Sequence, residues 1–89
     1  MLVASRLTIR GSVQGVLYRD WTVANARMLG LAGWVRNLQD KTVAAHLEGE
    51  EAAVQAMVER MWQGPPEARV EQIEQVAVEP EGLPDFGRR

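Results

Sequence analysis

Gly11-Ser12-Val13-Gln14-Gly15-Val16-Leu17-Tyr18-Arg19 joins an alternating stretch to a helical one, and the reading of the whole chain turns on that junction. On its N-terminal side, Leu7 and Ile9 alternate with Arg6, Thr8 and Arg10, the period of a half-buried strand. The strand is predicted over residues 3–12. On its C-terminal side, residues 20–30 read as a helix. Trp21, Ala24, Met28 and Leu31 fall at helical spacing. Asp20 suits the first turn of the helix dipole, and Gly30 and Gly33 flank its end. Trp21 and Met28 are therefore expected in the core. Strand, glycine-containing loop and helix, in that order, leave unpaired N–H groups and a partial positive charge at the helix start. A loop bent over that start points several N–H groups at one anion. Arg19 adds a permanent charge with a planar donor fork suited to phosphate or carboxylate. The bare pattern equally describes a tight connection with a solvated Arg19.

Working outward, Gly33–Asn37 reads as a second strand and Thr42–Gly49 as a third. Val43, Ala45 and Leu47 alternate with Thr42, Ala44, His46 and Glu48. The link Leu38-Gln39-Asp40-Lys41 is short and polar, which predicts an antiparallel hairpin. His46 falls on the polar face of its strand and is expected to face solvent rather than to bind metal or transfer protons. Glu50–Gln63 is the clearest helix: Val54, Met57, Val58, Met61 and Trp62 follow the i, i+3, i+4, i+7, i+8 rule. Glu50 and Glu51 complement its N-terminus, and Gly64-Pro65-Pro66 stops it. Val70–Glu79 reads as a fourth strand whose apolar residues Val70, Ile73, Val76 and Val78 break phase, which suggests a bulge or a frayed end. Asp85–Arg89 offers a short C-terminal edge strand through Phe86.

The resulting order, βαββαβ, predicts a ferredoxin-like α+β sandwich: an antiparallel sheet with two helices on one face, as a single domain over residues 1–89. That fold hosts many functions and decides none of them.

Composition narrows the choice. With a formal charge of −2 there is no global basic field for nucleic acid. Absence of cysteine excludes disulfides, thiolate metal sites and cysteine nucleophiles, and suits a reducing compartment. Lys41 is the single lysine, so any Schiff-base chemistry would run through it. Met1–Arg6 is too short and polar for a signal peptide, and no apolar run reaches the ~20 residues of a membrane helix. The expectation is a cytoplasmic monomer with no nucleic-acid or membrane partner.

Two stretches then match one family together. Residues 11–19 resemble the acylphosphatase signature G-x-V-Q-G-V-x-[FY]-R at every fixed position. Gly33-Trp34-Val35-Arg36-Asn37, followed by Val43 and Gly49, resembles the second signature of that family. The resemblance implies hydrolysis of the carboxyl–phosphate bond of a small acyl phosphate, to carboxylate and inorganic phosphate, with no metal and no cofactor. It implies that Arg19 grips the phosphoryl group within a phosphate-binding loop of Gln14, Gly15, Val16, Leu17, Tyr18 and Arg19, and that Asn37 orients the attacking water. Gly15 would let the backbone approach the phosphate closely. The Gln14 side chain faces either ligand or solvent, and Tyr18 is expected to pack rather than react. Ser12 is read as the end of a strand.

The chain departs from the family pattern at Lys41, where glycine is usual. A left-handed lysine there would cost roughly 1 kcal/mol, unless the hairpin takes another turn form. Asp20 places a negative charge beside Arg19 and is expected to point away from the pocket. Phe86-Gly87-Arg88-Arg89 resembles the family's closing strand only loosely. Two other readings share the fold: a non-catalytic phosphate-binding regulatory module, and an RNA-binding module, which the absence of aromatics from strands 3–12 and 42–49 disfavours.

Overall fold

Alternation along the strands sends Leu7, Ile9, Val35, Val43, Ala45 and Leu47 to one side of a sheet. There they meet Ala26, Val54, Met57 and Met61 from two helices in a single buried cluster. The computed structural model describes residues 1–89. Its elements are β1 (Leu2–Ser12), α1 (Tyr18–Met28), β2 (Ala32–Asn37), β3 (Val43–Glu50), α2 (Glu51–Gln63), β4 (Arg69–Val78) and β5 (Phe86–Arg88). The strand order is β4-β1-β3-β2-β5. All pairings are antiparallel except β2 with β5, which run parallel. The ferredoxin-like βαββαβ arrangement is thus present, and the tail adds a short fifth strand that makes the sheet mixed.

The first phase break in β4, between Val70 and Ile73, is a bulge; the second puts Val76 on the exposed face of a regular strand. Arg10 lies opposite Gln72 and Gly11 opposite Val70, so Glu71 is the extra residue. Gly11 sits at φ 135°, and a Cβ there would stand 2.0 Å from the Arg69 carbonyl oxygen. Only glycine fits beside that bulge.

Two expectations fail. Met28 is 75 % exposed rather than in the core. The helix begins at Tyr18, earlier than the alternation suggested, and its buried row is Tyr18, Thr22 and Ala26. Trp21 lies off that row, half-buried against Tyr18 with ring centroids 5.6 Å apart. His46 does not face solvent: it is 0 % exposed. Its strand face is covered because the chain after β4 turns back across the sheet. The N–H groups of Glu81, Gly82 and Leu83 donate to the Glu48 carboxylate at 3.1, 3.1 and 3.3 Å. Trp34 stacks on His46 from the neighbouring strand. Burial alone would raise the pKa of Glu48, but the amides of Gly82 and Leu83 and the nearby His46 outweigh it and hold the carboxyl below its ordinary range.

The hairpin between β2 and β3 keeps the left-handed turn despite the lysine. Lys41 sits at φ 71°, with Leu38 N–H donating to Thr42 O at 2.9 Å. Asp40 accepts from both the hydroxyl and the amide of Thr42, which holds its carboxyl below the usual pKa and locks the turn.

Candidate active site

Between β1 and α1 the backbone turns twice into the left-handed region, at Gly15 (φ 76°) and Leu17 (φ 62°). Leu17 has a Cβ and pays roughly 1–2 kcal/mol for that conformation. Its side chain is 74 % exposed, so packing does not repay the cost. Strain of this kind persists where a particular backbone shape is used.

The amides define that shape. Gln14, Gly15, Val16 and Leu17 donate no backbone hydrogen bond to the chain, and the first bond of α1 is Trp21 N–H to Leu17 O at 3.0 Å. Helix geometry leaves the N–H groups of Tyr18, Arg19 and Asp20 without an intrahelical acceptor. A run of free donors therefore sits at the positive end of α1.

Beside them lies a cavity of about 160 Å³, lined by Val13, Gly15, Leu17, Tyr18, Arg19, Asp20, Asn37 and Arg88. Arg19 is half-buried there without an ion pair; Asp20, expected to point away from the pocket, lines it instead, with its carboxylate held by Arg88 Nη1 at 2.9 Å. Asn37 closes β2, and its Oδ1 is buried without a hydrogen-bond partner. An acceptor without a partner, on a residue that lines this cavity, is an unsatisfied polar group that calls for a donor. Register places Asn37: it lies opposite Val43 in the β2–β3 pairing.

Of the residues singled out from the sequence, Gly15, Leu17, Tyr18, Arg19 and Asn37 share this cavity. Gln14 and Val16 do not line it. The Gln14 amide donates to Leu38 O at 2.9 Å and Thr42 O at 2.8 Å, tying the loop to the hairpin. Val16 packs against the core. Tyr18 is buried, and its hydroxyl donates to Met61 O at 2.7 Å. Burial pushes that phenol's pKa well above its ordinary value. Lys41 lines a separate hollow of about 510 Å³ with Gly11, Ser12, Val13, Gln14 and Gly15. Sequence reasoning missed Arg88; a three-residue strand carries too little pattern to place a side chain.

A family model for acylphosphatase matches residues 5–87 of the chain. The chain belongs to the acylphosphatase family. It is 51 % identical over 81 residues to an acylphosphatase of Rhodospirillum rubrum, covering 91 % of this chain and 89 % of that protein. Solved acylphosphatase structures superpose closely. That from Bacillus subtilis has a TM-score of 0.95 at 36 % identity, covering 100 % of this chain and 99 % of that one. That from Coxiella burnetii has a TM-score of 0.95 at 33 % identity, covering 99 % and 93 %. The enzyme reading of the family fits the cavity: free amides and a guanidinium on one side, a carboxamide on the other. No three His, Cys, Asp or Glu side chains converge as a metal site in this acylphosphatase, and no helix is long and apolar enough to cross a membrane.

Proposed function

We propose that this acylphosphatase hydrolyses small acyl phosphates by gripping the phosphoryl group between Arg19 and the amides of residues 14–20, while Asn37 aims the attacking water. The single observation that carries the assignment is the shared cavity of Arg19 and Asn37 beside a run of unpaired amides. An acyl phosphate has a good leaving group and needs little acid catalysis, so positioning and charge stabilisation suffice. The amides and the Arg19 fork supply convergent donors for the equatorial oxygens. The Asn37 Oδ1 accepts a hydrogen bond from the water without changing charge. The Gln14 side chain is not part of the phosphoryl grip, since it holds the hairpin. The substrate and the phosphate product are the only partners proposed. A cytoplasmic monomer acting as one domain over residues 1–89 is the setting that composition and the single core support.

The test is turnover of benzoyl phosphate by purified protein with chelator present, beside Arg19→Ala and Asn37→Ala. Arg19→Ala should lose nearly all turnover, and Asn37→Ala should lower kcat by about 100-fold. Wild-type turnover no greater than that of Arg19→Ala would overturn the assignment. Phosphate binding without turnover would favour the regulatory-module reading instead.

A further inference from the structure

The cavity holds a second guanidinium that the two signatures do not account for. Arg88 lines it together with Arg19 and Asn37, and Asp20 lies at the same rim. The charged groups lining the cavity are two arginines and one carboxylate, a net of one positive charge. Asp20 would repel an anionic substrate if it stood alone, but its Oδ1 is held by Arg88 Nη1 at 2.9 Å. That bond occupies one corner of a side chain with five N–H donors, and the others remain available.

Both ends of Arg88 are fixed. Its strand pairs with β2 at Val35, and the following amide, Arg89 N–H, donates to Val35 O at 2.8 Å. Phe86, two residues earlier, is fully buried, and Arg27 Nε donates to its carbonyl at 3.0 Å. The tip is fixed by Asp20 on α1. An exposed ion pair contributes little to folding. This one joins an edge strand to the first turn of α1, and both of its residues line the cavity.

We propose that Arg88 contacts the departing carboxylate of the substrate, with Asp20 as its positioning residue; the proposal rests on the hydrolase reading above. Water bonds to phosphorus while the bond from phosphorus to the bridging oxygen breaks. The electron pair leaves on that oxygen to give a carboxylate, and both water protons end on dihydrogen phosphate. Negative charge therefore grows in two places. The phosphoryl oxygens already have the loop amides and Arg19. Of the side-chain donors lining the cavity, Arg19 is assigned to the phosphoryl oxygens and Asn37 to the water, which leaves the Arg88 guanidinium for the bridging oxygen. A guanidinium there stabilises charge that is present in the transition state and smaller in the ground state, which is the interaction that raises rate.

The experiment is a leaving-group series: substituted benzoyl phosphates from p-nitro to p-methoxy, with chelator, for wild type, Arg88→Gln, Arg88→Lys and Asp20→Asn. Inorganic phosphate is the competitive inhibitor. Arg88→Gln should lower kcat/KM by about 10- to 100-fold, with the loss for p-methoxybenzoyl phosphate about three times that for p-nitrobenzoyl phosphate. Arg88→Lys should recover part of the rate and of the slope. Asp20→Asn should fall between wild type and Arg88→Gln. The phosphate inhibition constant should stay within about two-fold of wild type, because the phosphoryl grip is untouched. An equal loss across the series, no loss, or weakened phosphate inhibition in parallel with rate would overturn the proposal. Absence of turnover by wild type is a separate result: it would overturn the hydrolase reading, and this inference with it.

Discussion

Gln14→Met removes the tie between the phosphate loop and the hairpin while keeping the side chain's length and bulk. Two hydrogen bonds go, to Leu38 O at 2.9 Å and Thr42 O at 2.8 Å. Each half-buried neutral bond is worth about 1 kcal/mol net. Neither carbonyl is orphaned, because Leu38 O still accepts from Lys41 N–H and Thr42 O from Leu38 N–H. The penalty for unsatisfied groups is therefore avoided, and the expected destabilisation is about 1–2 kcal/mol. In a domain of this size that corresponds to a melting point lower by about 4–16 °C. Activity should fall as well. Asn37 directly precedes Leu38, so loosening the tie lets the water-orienting amide drift from the loop amides. A drift of a fraction of an ångström should cost about 10-fold in kcat. Phosphate inhibition should change less than kcat, since the amides and Arg19 remain. Thermal denaturation, benzoyl phosphate kinetics and phosphate inhibition on one preparation test the argument together. Unchanged stability with phosphate inhibition weakened more than kcat would refute it, for that result would mean the side chain faces the ligand.

Lys41→Gly should stabilise the fold by about 1 kcal/mol by relieving the left-handed lysine at φ 71°, with kcat unchanged; denaturant titration checks it, and a loss of stability would show that the lysine side chain contributes more than its backbone costs. Tyr18→Phe should cost about 1 kcal/mol through the lost bond to Met61 O and leave kcat within a few-fold, whereas a large fall in kcat at normal stability would assign the phenol a chemical role. Because the Tyr18 phenol is held protonated by burial, its contribution to stability is full below the unfolded tyrosine pKa and is lost as pH rises past it; the Tyr18→Phe difference in melting point should shrink only above about pH 10. Glu48 has the opposite sign: its folded pKa is depressed, so its contribution is present above the unfolded glutamate pKa and is lost as pH falls through the lower folded value. Glu48→Gln should accordingly match wild type in stability at strongly acid pH and fall below it near neutrality, by melting point against pH.

The elements legible in the sequence were those whose burial is one-sided. The stripe of Val54, Met57 and Met61 on α2 and the alternation of Leu7 and Ile9 on β1 each face one core, so period alone reveals them. His46 was misread for the same physical reason. Its strand is covered on both faces, and the second cover comes from residues 79–85, a loop with no period that could announce where it lies. Met28 was misread because the buried row of α1 runs through Tyr18, Thr22 and Ala26, and a row containing a threonine and an alanine is outweighed in the sequence by the more apolar spacing of Trp21 and Met28. The Arg19 and Asn37 pairing was legible only through resemblance, since residues far apart in sequence meet through the register of β2. Arg88 and the side-chain tie from Gln14 depend on rotamers and on an edge strand too short for any pattern, and they emerge only from the packed structure.

The central claim is that main-chain donors at the start of α1, together with Arg19, form the phosphoryl grip. Amide NMR during a titration with inorganic phosphate tests it most directly. The account predicts that the largest shifts cluster on residues 14–20, with the Asn37 side-chain amide moving alongside, and that Arg19→Ala abolishes them at the same phosphate concentrations. Shifts centred instead on the sheet face around Arg36 and Arg89, with residues 14–20 still, would contradict it.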